Sequence, residues 1–165
     1  MDAELISDAL KAGPAYITEH ASIAAWPKAP GDVYRTLRQG TNGWTCLPSF
    51  PGTPHDEPMC LDAVFLKFFQ DAVAKRPVHV DRVGVCYMYA GGWVPNAPHT
   101  SAKPSDYQAG PHIMIVVPKG AGLEGYTTDP TAGGIYRIGF RGLICPTWSF
   151  PFTNGLSTRP KKEPI

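Results

Sequence analysis

Charge is scarce in this sequence, and long apolar runs are missing. Only 18% of its 165 residues are charged, 15 basic against 14 acidic, for a formal net charge of +1. Nucleic-acid binders usually carry a basic stripe. Here the basic cluster is Arg159, Lys161 and Lys162 at the very end, which reads as a solvated tail. A nucleic-acid partner is therefore not expected. No window approaches the ~18 apolar residues of a membrane-crossing helix, so no membrane span is expected. The opening MDAELISDALKAG has Asp2, Glu4 and Asp8 where a secretory signal would have a basic start and an apolar run. The expectation is a cytoplasmic chain or the mature form of an exported one.

Several catalytic signatures are also missing. G-x-S-x-G, H-E-x-x-H and the Walker phosphate loop do not occur. Gly91-Gly92 and Gly133-Gly134 read as turns. No organic cofactor is expected.

What is abundant is turn chemistry and apolar surface. There are 17 glycines and 18 prolines, and 43% of residues are hydrophobic. Such a chain folds as one domain with many short elements. We expect that domain over residues 1–152, with a flexible tail at 153–165.

Periodicity predicts a helix over 2–12, ended by Gly13-Pro14. Residues 15–26 alternate as a strand would, with helix an open alternative. That strand would place His20 on a polar stripe with Tyr16 and Thr18. A strand follows at 32–38. The clearest helix is predicted over 59–74, with Leu61, Val64, Phe65, Phe68, Phe69 and Ala72 on its apolar face. Asp62, Lys67, Gln70, Asp71 and Lys75 would face outward, and Asp56 or Glu57 would cap the start. Strands are expected at 79–90, 111–118, 135–140 and 142–150, with an aperiodic loop at 91–110. Consecutive strands without helices between them favour an antiparallel sheet. The expected fold is α+β, a mainly antiparallel curled sheet or partial barrel with one long helix packed on it.

Of the four cysteines, Cys86 and Cys145 sit in apolar strands and read as small buried hydrophobes. Cys46 and Cys60 bracket a segment rich in proline and glycine. A disulfide there would close a loop of about 15 residues, worth about 3 kcal/mol in the chain-entropy account. A metal set of Cys46, His55, Asp56 and Cys60 is the weaker alternative, because C-x-x-C is absent. Two free thiols are the third. No metal is expected.

RQGTNGWTCLPSFPGTPHDEPMCLD at 38–62, RVGVCYMYAGG at 82–92 and GPHIMIVVP at 110–118 together carry a resemblance. They resemble a family of small, poorly characterised, mostly bacterial proteins, many described only as signal-peptide proteins. Its pattern runs G-T-N-G-W-T-C, then P-M-C-x-D, then G-P-H-x-M-I-V-V-P. The likeness covers roughly residues 32–130, with Glu57 where the pattern often has Asp. Export of such relatives implies a disulfide between the residues matching Cys46 and Cys60. The resemblance implies no reaction.

The residues that could do chemistry are few. His112 opens an apolar strand beside the long loop, a fitting place for general acid/base work. Tyr87 and Tyr89 share a strand face and could donate to a developing oxyanion. Trp44, Trp93 and Tyr107 could wall an apolar pocket, with His20 and Arg38 as polar partners. The leading expectation is a cofactor-independent isomerase, cyclase or lyase acting on an apolar small molecule. The alternative is a non-catalytic small-molecule- or protein-binding module stabilised by a disulfide.

Overall fold

The structure, a computed structural model, describes residues 1–53, 55–94, 107–120, 125–126, 136–140 and 143–151. The expected tail at 153–165 lies outside them. Helix α1 (Asp2–Ala9) runs into a 3-10 turn (Leu10–Ala12) and a single-turn α2 (Ala15–Thr18). Strands β1 (Ser22–Ala25), β2 (Arg35–Arg38), β3 (Thr45–Leu47) and β4 (Met59–Leu61) follow, then helix α3 (Ala63–Val73). The remaining strands are β5 (Gly84–Met88), β6 (Gly92–Val94), β7 (Tyr107–Ala109), β8 (His112–Val116), β9 (Tyr136–Phe140) and β10 (Leu143–Pro151).

Eight strands form one sheet in the order β2-β1-β3-β4-β5-β8-β10-β9. Its pairs are antiparallel apart from β1 and β3, which run parallel. The sheet is open, with β2 and β9 at its edges, so it is not a closed barrel. Strands β6 and β7 form a separate hairpin within the segment expected to be loop. The fold is α+β.

Strand alternation sends side chains to two cores. Leu47, Met59, Leu61, Cys86, Met88 and Val116 face α3 and pack against Phe65, Phe68, Phe69 and Ala72. Fully burying each phenylalanine contributes about 1.5–3 kcal/mol. On the opposite face, Ile23, Cys46 and Cys60 meet Ala9, Ala12 and Ile17 of the N-terminal helices. Gly84 lets α3 sit close: a Cβ built there would lie 2.7 Å from the Phe65 nitrogen and 2.8 Å from Val116 Cγ1.

The long helix is shorter than its apolar pattern suggests. Residues 59–61 are strand β4, flanked by β3 and β5, and all three are buried. Asp62 caps α3, in place of Asp56 or Glu57. Its Oδ1 accepts from the Phe65 nitrogen at 2.8 Å and its Oδ2 from the Val85 nitrogen at 2.9 Å. Asp71, expected outside, is only 4% exposed. Within 15–26, Pro14 starts the single-turn α2, and the strand is confined to Ser22–Ala25.

Cys46 and Cys60 are bonded to each other as directly opposed partners on β3 and β4. Both are fully buried. The metal alternative at these cysteines therefore has no thiolates to use. Cys86 is free and buried, as expected; the side chain of Cys145 is outside the described residues.

Two outcomes follow. Replacing both cysteines (Cys46→Ala with Cys60→Ala) is expected to lower the unfolding free energy by about 3 kcal/mol in urea titrations. Asp62→Ala removes two hydrogen-bond acceptors at once and is expected to cost about 2 kcal/mol or more in the same assay.

Candidate functional site

The expected catalytic pair is split by the sheet. His112 lies opposite Met88 in the β5–β8 register, so it shares that residue's face. Tyr87 is one residue earlier and projects to the other face. His112 is 4% exposed, and its Nδ1 lies 2.7 Å from the Gly110 carbonyl oxygen, to which it donates. Nε2 is then the accepting nitrogen of the neutral ring. A Cβ on Gly92 would lie 2.9 Å from Met88 Cε and 3.4 Å from His112 Cε1, so Gly92 leaves room chiefly for Met88 beside the ring. Burial holds the His112 pKa below the usual histidine value, against the opposing pull of the Gly110 carbonyl.

Tyr87 packs under the N-terminal helices. Its ring centroid is 5.3 Å from Trp44 and 5.7 Å from Tyr89, so three of the expected site residues do come together. Burial, then the neighbouring Tyr16 phenol, pushes the Tyr87 pKa up, which keeps it a neutral donor.

The other expected residues have structural work. Arg38 donates through Nη2 to the carbonyl oxygens of Thr18 and Ala21, tying β2 to the turn after α2. His20 is exposed in that turn. The polar stripe expected around it does not form, because α2 replaces the strand period: Tyr16 is 72% exposed while Thr18 is buried. Trp93 and Tyr107 fall on the paired strands β6 and β7. Their side chains, and residues 95–106, are outside the described residues.

A cleft that the sequence did not announce lies between the β1–β2 connection and the end of α3. Pro27, Asp32 and Tyr34 form one wall, and Gln70, Val73 and Arg76 form the other. It encloses about 290 Å³. Pro27, Pro30 and Gly31, whose φ is +95°, turn the chain out of β1. Asp32 closes that turn: its Oδ2 accepts from the Ala29 nitrogen at 3.2 Å, and its own nitrogen donates to the Ala29 oxygen at 3.1 Å.

Behind the cleft is an aromatic cluster. Trp26 stands 6.1 Å from Tyr34, 4.9 Å from Phe50 and 5.7 Å from Phe69, centroid to centroid. Its Nε1 donates to the Pro48 oxygen at 2.7 Å. The Tyr34 hydroxyl is buried and has no hydrogen-bond partner among the described residues. Burial raises its pKa, so it remains a protonated donor. The opposite wall is electrostatically fixed. Asp71 takes hydrogen bonds from Lys67 and, at 2.9 Å, from Arg76 Nε. Burial alone would raise the Asp71 pKa, but these two cations outweigh it and hold the carboxyl below its usual range.

No signal in the sequence joins residues 27–34 to 70–76; only the packing of α3 on the sheet does. GAGLEG at 120–125 has glycines at dinucleotide-loop spacing. It follows a strand paired antiparallel on both sides rather than the parallel βαβ unit such a loop needs, and residues 121–124 are outside those described. Among the described residues, no three His, Cys, Asp or Glu side chains stand together as metal ligands, and no helix is long and apolar enough to cross a membrane. Comparison with known proteins found no matching family model, no matching curated protein and no matching solved structure.

Two of the buried ionisable groups, His112 and Asp71, set separate acid limits. The folded state favours neutral His112, so its contribution is complete above about pH 6.5 and is lost as pH falls below it. Asp71 favours its anion, so its contribution is complete above about pH 4 and is lost at lower pH. Unfolding free energy measured against pH should therefore fall in two stages. His112→Asn, which can still donate to Gly110, should remove the upper stage and keep the lower.

Proposed function

We propose that this chain is a non-catalytic small-molecule-binding module, stapled by the Cys46–Cys60 disulfide, whose ligand occupies the cleft beside Tyr34. The observation that carries this reading is Tyr34, which lines that cleft while its hydroxyl is buried without a hydrogen-bond partner among the described residues. A buried unsatisfied donor costs about 1–3 kcal/mol. A ligand acceptor that reaches it relieves that cost on binding. Residues 28–33, which include the Asp32 turn of this cleft, are exposed. The apolar lining from Pro27 and Val73 suits the hydrophobic body of a small ligand. The disulfide also accords with the export implied by the family resemblance, because such bonds persist in oxidising compartments.

The acid/base reading is weaker on geometry, since His112 and Tyr87 stand on opposite sides of one sheet. An enzyme here would have to use one of them without the other.

The test is an NMR titration of the full chain with a fragment set of small aromatic and aliphatic acids, amines and alcohols. Saturable shifts confined to residues 31–34 and 70–76, with the fragment recovered unchanged, support the reading. Tyr34→Phe is expected to weaken such binding by roughly tenfold while leaving stability equal or higher, because the orphaned donor is gone. The reading fails if no fragment moves these residues, or if a bound fragment is chemically converted.

A further inference from the structure

We infer that the ligand of this cleft is a free α-amino acid with an apolar side chain, held at both of its charges. This rests on the reading of the cleft as the ligand site.

The cleft carries one charge of each sign on opposite walls, Asp32 on the turn and Arg76 beyond α3. Both have unused capacity. Asp32 accepts one hydrogen bond, through Oδ2, and a carboxylate has about four lone-pair sites. Its remaining sites suit an ammonium group. Arg76 commits only Nε to Asp71, and its side chain is half exposed. Its terminal nitrogens carry no hydrogen bond among the described residues. A guanidinium edge with free N–H groups is matched to a carboxylate.

The local charge balance points the same way. Asp71 pairs with both Lys67 and Arg76, and Asp32 adds a second acid to the cleft lining. A neutral set of two acids and two bases pairs fully with a zwitterion. A simple anion would face Asp32, and a simple cation would face Arg76. Pro27 and Val73 also line the cleft and offer apolar surface to an aliphatic or aromatic side chain that projects from the carbon bearing both charges. The 290 Å³ of this open cleft lies just below the range of about 300–1,000 Å³ for drug-sized sites. That room suits one amino acid rather than a nucleotide or a folded peptide.

The experiment is a calorimetric and NMR titration of the full chain with L-phenylalanine, L-leucine, 3-phenylpropanoate and phenethylamine. The expected result is saturable binding of both amino acids at residues 31–34 and 70–76. The propanoate, which lacks the ammonium, and the amine, which lacks the carboxylate, should each bind at least tenfold more weakly. In Asp32→Asn, L-phenylalanine should weaken to the level of 3-phenylpropanoate, which itself should change little. The wild-type ligand series needs no variant, so the inference stays testable if a substitution disturbs the fold. Equal binding of the propanoate or the amine overturns the zwitterion and leaves the cleft standing. So does silence from all four compounds when other fragments move the same residues. If neither set moves them, the cleft reading falls as well.

Discussion

Everything in this fold is registered on the carboxylate of Asp62. One oxygen holds the first turn of α3 through Phe65, and the other holds the start of β5 through Val85. The Asp62 nitrogen in turn donates to the Val85 oxygen at 3.0 Å. A single residue thus fixes where β4 ends, where α3 begins and how β5 lies beside both. The far end of α3 inherits that placement. Gln70, Val73 and Arg76 face the β1–β2 turn because the helix starts at Ala63, and a start one residue away would rotate the cleft wall by about 100°.

The two faces of the sheet are stabilised differently. The α3 side is a conventional packed core, with three phenylalanines against leucine, methionine and valine. The N-terminal side is thin. Its buried residues are three alanines, Ile17, Ile23 and the two bridged cysteines, and the larger side chains of Leu10, Trp44 and Tyr87 are only partly buried against them. Small side chains let short helices approach the sheet closely but bury little area, so burial contributes less there. A covalent cross-link in that layer offsets the deficit by restricting the unfolded chain.

Much of the architecture was legible in the sequence where elements are long or bounded by strong breakers. The N-terminal helix, the apolar face of α3 and strands β5 and β8 follow from period and from Gly13-Pro14 or Pro58 nearby. Strands β3 and β4 were not legible, because three residues carry no period. Met59–Leu61 merged with the helical pattern, which hid Asp62 as a cap by making it look like an outward helical side chain. The disulfide pairing was legible as one of three readings. The candidate site was not. Whether His112 and Tyr87 meet depends on the register of β5 against β8, which no local pattern encodes. The cleft needs two distant segments brought together by a helix whose true start was masked by β4.

The burial of both sulfurs under α1 and α2 has a kinetic consequence. A dissolved reductant must approach a disulfide in line to attack it, and the helices of residues 2–18 stand over the bond while they are docked. The lifetime of the cross-link then depends on how often that thin layer lifts, a local opening event, as well as on the reductant. A bond closed beneath such a layer is reduced more slowly than an exposed one, because only molecules with the layer lifted present it.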